Sequence, residues 1–245
     1  MAGWETRGTC NFCGQSFARR GMARHLAACP ARRAANQEPL GVGRKVRTAR
    51  IFHLLVEGTY APMYWMHLEV SGDEKLSFLD RFLRDIWLEC CGHLSLFRIG
   101  YVHYHYMLFD DWGPRQFLAG LPGSDFDFPE ERDMNVRLDQ VLTPGLTFAH
   151  EYDFGTTTDL TLKVIGEREG EVRGKDTLHV MARNDPPPIP CDGCGEPATQ
   201  VCSVCIWGGE QAWLCAKCAP QHPCGEDMLL PVVNSPRVGM CAYTG

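Results

Sequence analysis

Residues 51–87 read IFHLLVEGTYAPMYWMHLEVSGDEKLSFLDRFLRDIW, and a change of period inside this stretch decides the fold class. Ile51–Glu57 and Tyr64–Val70 are apolar, β-branched and aromatic runs of strand length. Gly58-Thr59-Tyr60-Ala61-Pro62 joins them, so they predict a strand pair. Then the repeat lengthens. Leu79, Phe82, Leu83, Ile86 and Trp87 recur at i, i+3, i+4, i+7 and i+8, which is one apolar stripe on an amphipathic helix. Ser77 with Asp80 three residues later predicts a capping box at its start.

Working outward, Leu94–Ile99 and Tyr101–Phe109 return to strand composition. Val136–Leu142 reads as a short helical turn ended by Thr143-Pro144-Gly145. Thr147–Phe154 and Asp159–Gly166 predict a last hairpin through Gly155-Thr156-Thr157. The expectation for residues 50–184 is an α+β domain, a mostly antiparallel sheet with one main amphipathic helix. Small zinc-stapled modules flank it at both ends.

Those modules follow from the cysteines. The chain has 245 residues and 13 cysteines, ten of which fall in two terminal clusters. No run approaches ~18 apolar residues, which excludes a spanning helix. The opening MAGWETRGTCNFCG lacks an apolar signal core, so a cytoplasmic location with reduced thiols is expected. Under reducing conditions such clusters point to metal rather than to disulfides.

In the first cluster, Cys10 and Cys13 form a C-x2-C pair, and His25 and Cys29 are spaced i, i+4 on one helix face. Two thiolates from a turn and two ligands from a helix complete a tetrahedral zinc set. Phe17 and Met22 stand where so small a module needs core side chains. Residues 8–30 resemble CCHC-type zinc fingers of the C-x2-C-G-x-x-F form. A closed four-ligand site of this kind is structural, with no position open for catalysis.

The second cluster follows a stiff spacer, residues 185–190, rich in proline. Cys191 and Cys194, Cys202 and Cys205, and Cys215 and Cys218 are three successive C-x2-C pairs, followed by His222 and Cys224. Eight ligands suit two zinc ions, so three are expected in the whole chain. Sequential pairing and a cross-brace both fit the order. The spacing resembles the cross-braced HIT, MYND and B-box modules, and that resemblance implies that Cys191, Cys194, Cys215 and Cys218 share one ion. It also implies a protein partner for residues 191–245, where Lys217 and Arg237 are the only cations.

Charge divides as sharply as cysteine. Residues 1–50 carry ten Lys/Arg against two acids, whereas the other 195 carry 14 against 28, for a formal net charge of -6. Arg19, Arg20, Arg24, Arg32, Arg33, Arg44, Lys45 and Arg47 therefore form a candidate phosphate-binding region on the finger and on a basic linker spanning 31–49. A basic segment docked on the acidic body of the same chain is the alternative.

LSFLDRFLRDIW (76–87), HLSLFRIG (93–100), VRLDQVLTPG (136–145) and FAHEYDFG (148–155), with Trp65 in the second strand, resemble the plasmid pRiA4b ORF-3-like family over about residues 50–168. The resemblance implies an association with plasmids and mobile elements, and no firmly attached reaction. The family pattern continues YDFGD-x-W-x-H, whereas this chain has Thr156, Thr158 and Leu160 at those three positions. Asp153 then reads as a turn acceptor, and a binding role is favoured over a catalytic one.

Remaining candidates are weighed singly. His103 and His105 share one strand face, read as an aromatic-rich sheet surface rather than a chelate. His93 reads as a packing or capping histidine, Cys90 and Cys91 as free thiols, and Cys241 as a surplus ligand or free thiol. Asp125, Asp127, Glu130, Glu131 and Asp133 read as a solvated loop or a docking loop. No Walker loop, G-x-S-x-G, G-x-G-x-x-G after a strand, or H-E-x-x-H occurs. The expected function is a zinc-binding, non-catalytic adaptor or regulator, with nucleic acid at the N-terminal region and protein at the C-terminal module. The alternative is a purely protein–protein scaffold, and a hydrolase or nuclease with a site in the middle domain is the least favoured.

Overall fold

The computed structural model describes residues 6–37, 46–106, 129–174, 176–209 and 211–245. Strands β3 (Val46–Gly58) and β4 (Trp65–Ser71) pair antiparallel from Ile51 opposite Ser71 to Glu57 opposite Trp65. Every residue of β4 is buried, which alternation of side chains across a strand permits only if both sheet faces are covered. Met66, Leu68 and Val70 join Phe52, Leu54 and Val56 in the main core with Leu76, Leu79 and Leu83 of helix α3 (Leu76–Leu83). Trp65 lies in a second core with Met181, Leu55 and residues of the N-terminal finger.

The helix continues through one wide turn, Arg84–Leu88, and buries Trp87 and Leu88 in the main core. Its start differs from the sequence reading. Lys75 holds the cap position without a side-chain cap, and Asp80 is buried beside His150, whose Nε2 donates to Asp80 Oδ1 at 2.7 Å. The Val136 and Met134 carbonyls accept from the Leu76 and Ser77 amides at 3.0 and 3.1 Å. A neighbouring segment thus satisfies the free amides of the helix start, and no capping box is needed.

Among the described residues ten strands form one sheet in the order β2-β1-β10-β4-β3-β9-β8-β5-β6-β7. The remaining members are β1 (Arg7–Cys10), β2 (Ser16–Ala18), β5 (Ser95–Ile99), β6 (Val102–His105), β7 (Glu130–Asp133), β8 (Thr147–Tyr152), β9 (Thr158–Arg173) and β10 (Leu178–Asn184). All neighbours run antiparallel except β6 and β7. Together with the helices this is an α+β fold. Glu130, Glu131 and Asp133, expected in a loop, lie on the exposed edge strand β7, whereas Asp125 and Asp127 lie outside the described residues.

The finger is an extension of this sheet. Gly8, Thr9 and Cys10 of β1 pair with Asn184, Arg183 and Ala182 of β10. A Cβ on Gly8 would collide with the Arg183 carbonyl and the Trp65 ring, so glycine is what lets the two strands close. Helix α1 (Arg19–Ala28) buries Met22 and Leu26 against this side, and α2 (Pro30–Gln37) occupies the first part of the expected linker.

After Asn184 the chain forms a three-stranded sheet, β12-β11-β13, from β11 (Gln200–Cys202), β12 (Trp213–Leu214) and β13 (Leu229–Pro231). Val201, Cys202, Cys205, Ala212 and Val238 join the main core, so this module packs on the body. Helix α4 (Leu138–Val141) lies in the body and α5 (Cys205–Gly208) in the module. Among the described residues no helix is long and apolar enough to cross a membrane.

Candidate metal centres

Cys10, Cys13, His25 and Cys29 bring their ligand atoms within 4.8 Å of one another, as the spacing predicts. β1 delivers Cys10, and Gly14, at φ +69°, turns the chain so that its amide donates to the Cys10 carbonyl at 2.8 Å. The left-handed Gly lets Cys13 swing to the same side as Cys10. His25 comes from α1 and Cys29 from the residue that ends it. Phe17 stacks on the His25 ring with centroids 3.9 Å apart and so fixes its orientation.

The C-terminal ligands interleave. Cys191, Cys194, Cys215 and Cys218 form one tetrad, and Cys202, Cys205, His222 and Cys224 another. This is the cross-brace arrangement, not the sequential one. Cys191-x2-Cys194 repeats the finger's turn, with Gly195 at φ +79° and its amide donating to the Cys191 carbonyl at 2.8 Å. Burial pushes the Cys191 thiol up, but the Cys215, Gly193 and Cys194 amides outweigh it and hold the pKa at about 6. At Cys202 burial also raises the value, while the Cys205 and Val204 amides and His222 bring it to about 7. Both thiolates therefore form near neutral pH, as metal ligation requires.

Cys90, Cys91, His93 and Cys241 make a fourth group within the same 4.8 Å limit. The described residues thus hold four tetrads, against the three metal sites expected: Cys90 and Cys91, read as free thiols, lie together with His93, read as a packing or capping histidine, and with Cys241, read as a surplus ligand or free thiol. Adjacent cysteines on the segment after α3 and a cysteine near the chain's end follow no C-x2-C spacing, so the group is invisible to motif reading. Arithmetic held the signal: three cysteines outside the predicted tetrads, two of them beside a histidine.

The basic residues divide. Arg32 Nη2 donates to Glu69 Oε1 at 2.7 Å, Arg47 Nε to Asp73 Oδ2 at 2.8 Å, and Arg19 pairs with Glu57. Arg20, Arg24 and Arg33 are exposed, whereas Arg44 and Lys45 lie outside the described residues. The middle-domain candidates are not assembled into a site. Leu160 is core, and Thr158 Oγ1 accepts from Arg237. Asp153 is a turn acceptor as expected, taking the Gly155 and Thr156 amides on Oδ1, and in addition pairs with Arg237. Its carboxyl lies below the usual carboxylate range: burial pushes it up, but Arg237 and those two amides outweigh it. The His103 and His105 rings, 6.4 Å apart, have no third metal-ligating partner among the described residues.

Scans against protein-family models and against curated proteins return no match for this chain. Among solved structures it is similar to a protein of unknown function from Methanosarcina mazei Go1, at 14% identity and a TM-score of 0.41. The likeness covers 66% of this chain and 78% of that one.

Proposed function

We propose that this protein is a zinc-stapled, non-catalytic interaction scaffold whose C-terminal module contacts another protein. The observation that carries the reading is the donor chemistry of the predicted tetrads: sets of four thiolates, or of three thiolates and an imidazole, suit a borderline-soft tetrahedral cation and leave no position for a substrate. Exposed Trp207, Val204 and Met228 on the cross-braced module give it apolar contact area of the kind partner surfaces use. The engagement of Arg19, Arg32 and Arg47 by acids of the body supports the view that much of the basic segment serves the fold.

A second reading keeps nucleic acid as a partner, through Arg20 and Arg24 on α1 and Arg33 on α2, all exposed. Metal analysis of the full chain tests the common ground: at least three zinc ions are expected, and fewer would overturn the assignment. Electrophoretic shifts with random-sequence duplex DNA and single-stranded RNA at rising salt separate the readings. Absence of a shift supports the scaffold. A salt-sensitive shift that Arg20→Glu with Arg24→Glu abolishes supports the second.

A further inference from the structure

The group at Cys90, Cys91, His93 and Cys241 offers the three thiols and one imidazole of two other tetrads, in a placement unlike theirs. We propose that it is a fourth metal site, for zinc or another thiophilic divalent ion, and that its metal clasps the C-terminal tail to the central domain.

Its spacing is that of a tetrahedral site. Zn–S bonds of about 2.3 Å place neighbouring sulfurs roughly 3.7 Å apart around the ion. Cys90 Sγ lies 3.6 Å from Cys91 Sγ, Cys91 Sγ lies 3.6 Å from Cys241 Sγ, and Cys241 Sγ lies 3.7 Å from His93 Nε2. The predicted tetrads show the same edges: Cys13 to His25 at 3.4 Å, Cys194 to Cys215 at 3.5 Å and Cys205 to Cys224 at 3.6 Å. One edge is tighter, Cys91 Sγ to His93 Nε2 at 2.9 Å, and exposed Cys91 can rotate to open it. A disulfide would bring two sulfurs to about 2.05 Å and leave the third thiol and the imidazole without a role.

Buried groups support the ligands from behind. Arg237, with no solvent exposure, donates from Nη2 to Cys90 Sγ at 3.3 Å and to Asp153 Oδ2 at 2.7 Å. A guanidinium aimed at sulfur favours the thiolate form that a metal requires, which is the role outer groups play around metal ligands. Cys241 adopts φ +51°, one of two non-glycine residues in the left-handed region among the described residues. Such a conformation persists where the surroundings over-determine it, and a ligand held by a metal is so determined.

Placement gives the site its role. Each predicted tetrad closes a local loop within its own module. The fourth joins residues 90–93 to residue 241, and the segment it closes contains the whole cross-braced module. Around it the tail is threaded into the body: Ser235 Oγ donates to the Trp87 carbonyl at 2.6 Å, and Tyr243 is buried. Cys91 and Cys241 are exposed, whereas each other tetrad contains at least two buried ligands, so this ion should be the first one surrendered to a chelator.

The inference stands independently of the scaffold reading. Its test is metal stoichiometry on the full chain with trypsin as a probe of the tail, since cleavage after Arg237 needs that side chain released. Four zinc ions per chain are expected for the wild type and three for Cys241→Ser, with cleavage after Arg237 appearing in the variant. In the wild type, mild chelation should remove one equivalent first and expose the same bond, which keeps the test valid if the variant folds poorly. Three ions in the wild type, or four in Cys241→Ser, would overturn the site and leave the other three tetrads untouched. Unchanged cleavage after Arg237 on loss of the fourth ion would overturn the clasp.

Discussion

Arg237 Nη2 donates to Asp153 Oδ2 at 2.7 Å, a pair of buried side chains that joins the tail to the turn after β8. The same guanidinium donates from Nη1 to the Thr156 carbonyl at 3.1 Å and to Thr158 Oγ1 at 3.0 Å. Through these contacts the hairpin end receives the tail.

Removing one member of this pair leaves the other buried and charged. Arg237→Met should lower stability by about 3–5 kcal/mol, the range for breaking a buried ion pair. Thermal denaturation checks the size, and Asp153→Asn in the same background should add much less than it does alone. Because the folded Asp153 carboxyl lies below its ordinary value, the pair's contribution is present above about pH 4 and lost as pH falls further. A double-mutant cycle showing additive losses would contradict the coupling.

Glu69 makes a different prediction for the basic segment. It accepts from Arg32 at 2.7 Å and from Arg168 at 2.9 and 3.1 Å, deep beneath α2. Burial raises its pKa, yet Arg168 and Arg32 outweigh that and hold the carboxylate ionised. Arg32→Ala should cost about 1.5–3 kcal/mol, the worth of a hydrogen bond to a charged group, because Arg168 remains. Glu69→Gln strands two cations and should cost more. Any nucleic-acid affinity should survive Arg32→Ala after correction for the unfolded fraction; a uniform loss across sequences would make Arg32 a phosphate contact.

How far the sequence speaks depends on how local each signal is. The β3–β4 pair and the α3 stripe were legible because a β-branched, aromatic run and the i, i+3, i+4 repeat each lie within one element. Three ligand sets were legible because C-x2-C turns are short-range devices; their partner choice across 24 residues rested on resemblance. The docking of β1 on β10 was not legible, since strands some 170 residues apart pair through backbone atoms that carry no residue code. Nor was the fourth tetrad, whose members meet only after the whole body has folded. Arg32 read as a phosphate-binding candidate, with docking on the acidic body as the alternative, and nothing in the sequence singles out Glu69 of β4 as its acid; the finger turns that face into an interior.

Gly8 tests whether the finger and the sheet form one unit. Gly8→Ala forces a methyl group into the Arg183 carbonyl and the Trp65 ring, an overpacking that typically costs 1–3 kcal/mol. All four ligands of the N-terminal tetrad lie within residues 10–29, so metal content should not change. Amide exchange in β10 should accelerate, because its pairing with β1 is what loosens. Loss of one metal equivalent, or unchanged exchange in β10, would show that finger and sheet are not coupled in this way.

The last prediction concerns acid. His53 Nε2 and His67 Nδ1 lie 2.8 Å apart on the sheet face beneath the finger, with Arg32 and Glu69 close by. Burial lowers the His53 pKa to about 4, with Arg32 adding to it and Glu69 opposing. Burial, then His53 and Arg32, lowers His67 to about 3. An unfolded histidine takes up its proton near 6.5, so between that value and about 4 the unfolded chain binds protons that the folded chain refuses. Stability therefore falls as pH drops through this window, by at most about 1.4 kcal/mol per pH unit for each histidine. If the tetrads carry metal, protonation of their thiolates would destabilise the fold in acid as well, and the two causes separate by variant. His53→Gln with His67→Leu should flatten the slope between pH 7 and 5 while leaving metal release unchanged. In the wild type, the imidazole proton signals of both residues should stay fixed from about pH 7.5 to 5.5. Titration of either buried ring near 6.5 would mean that the finger does not seal this face.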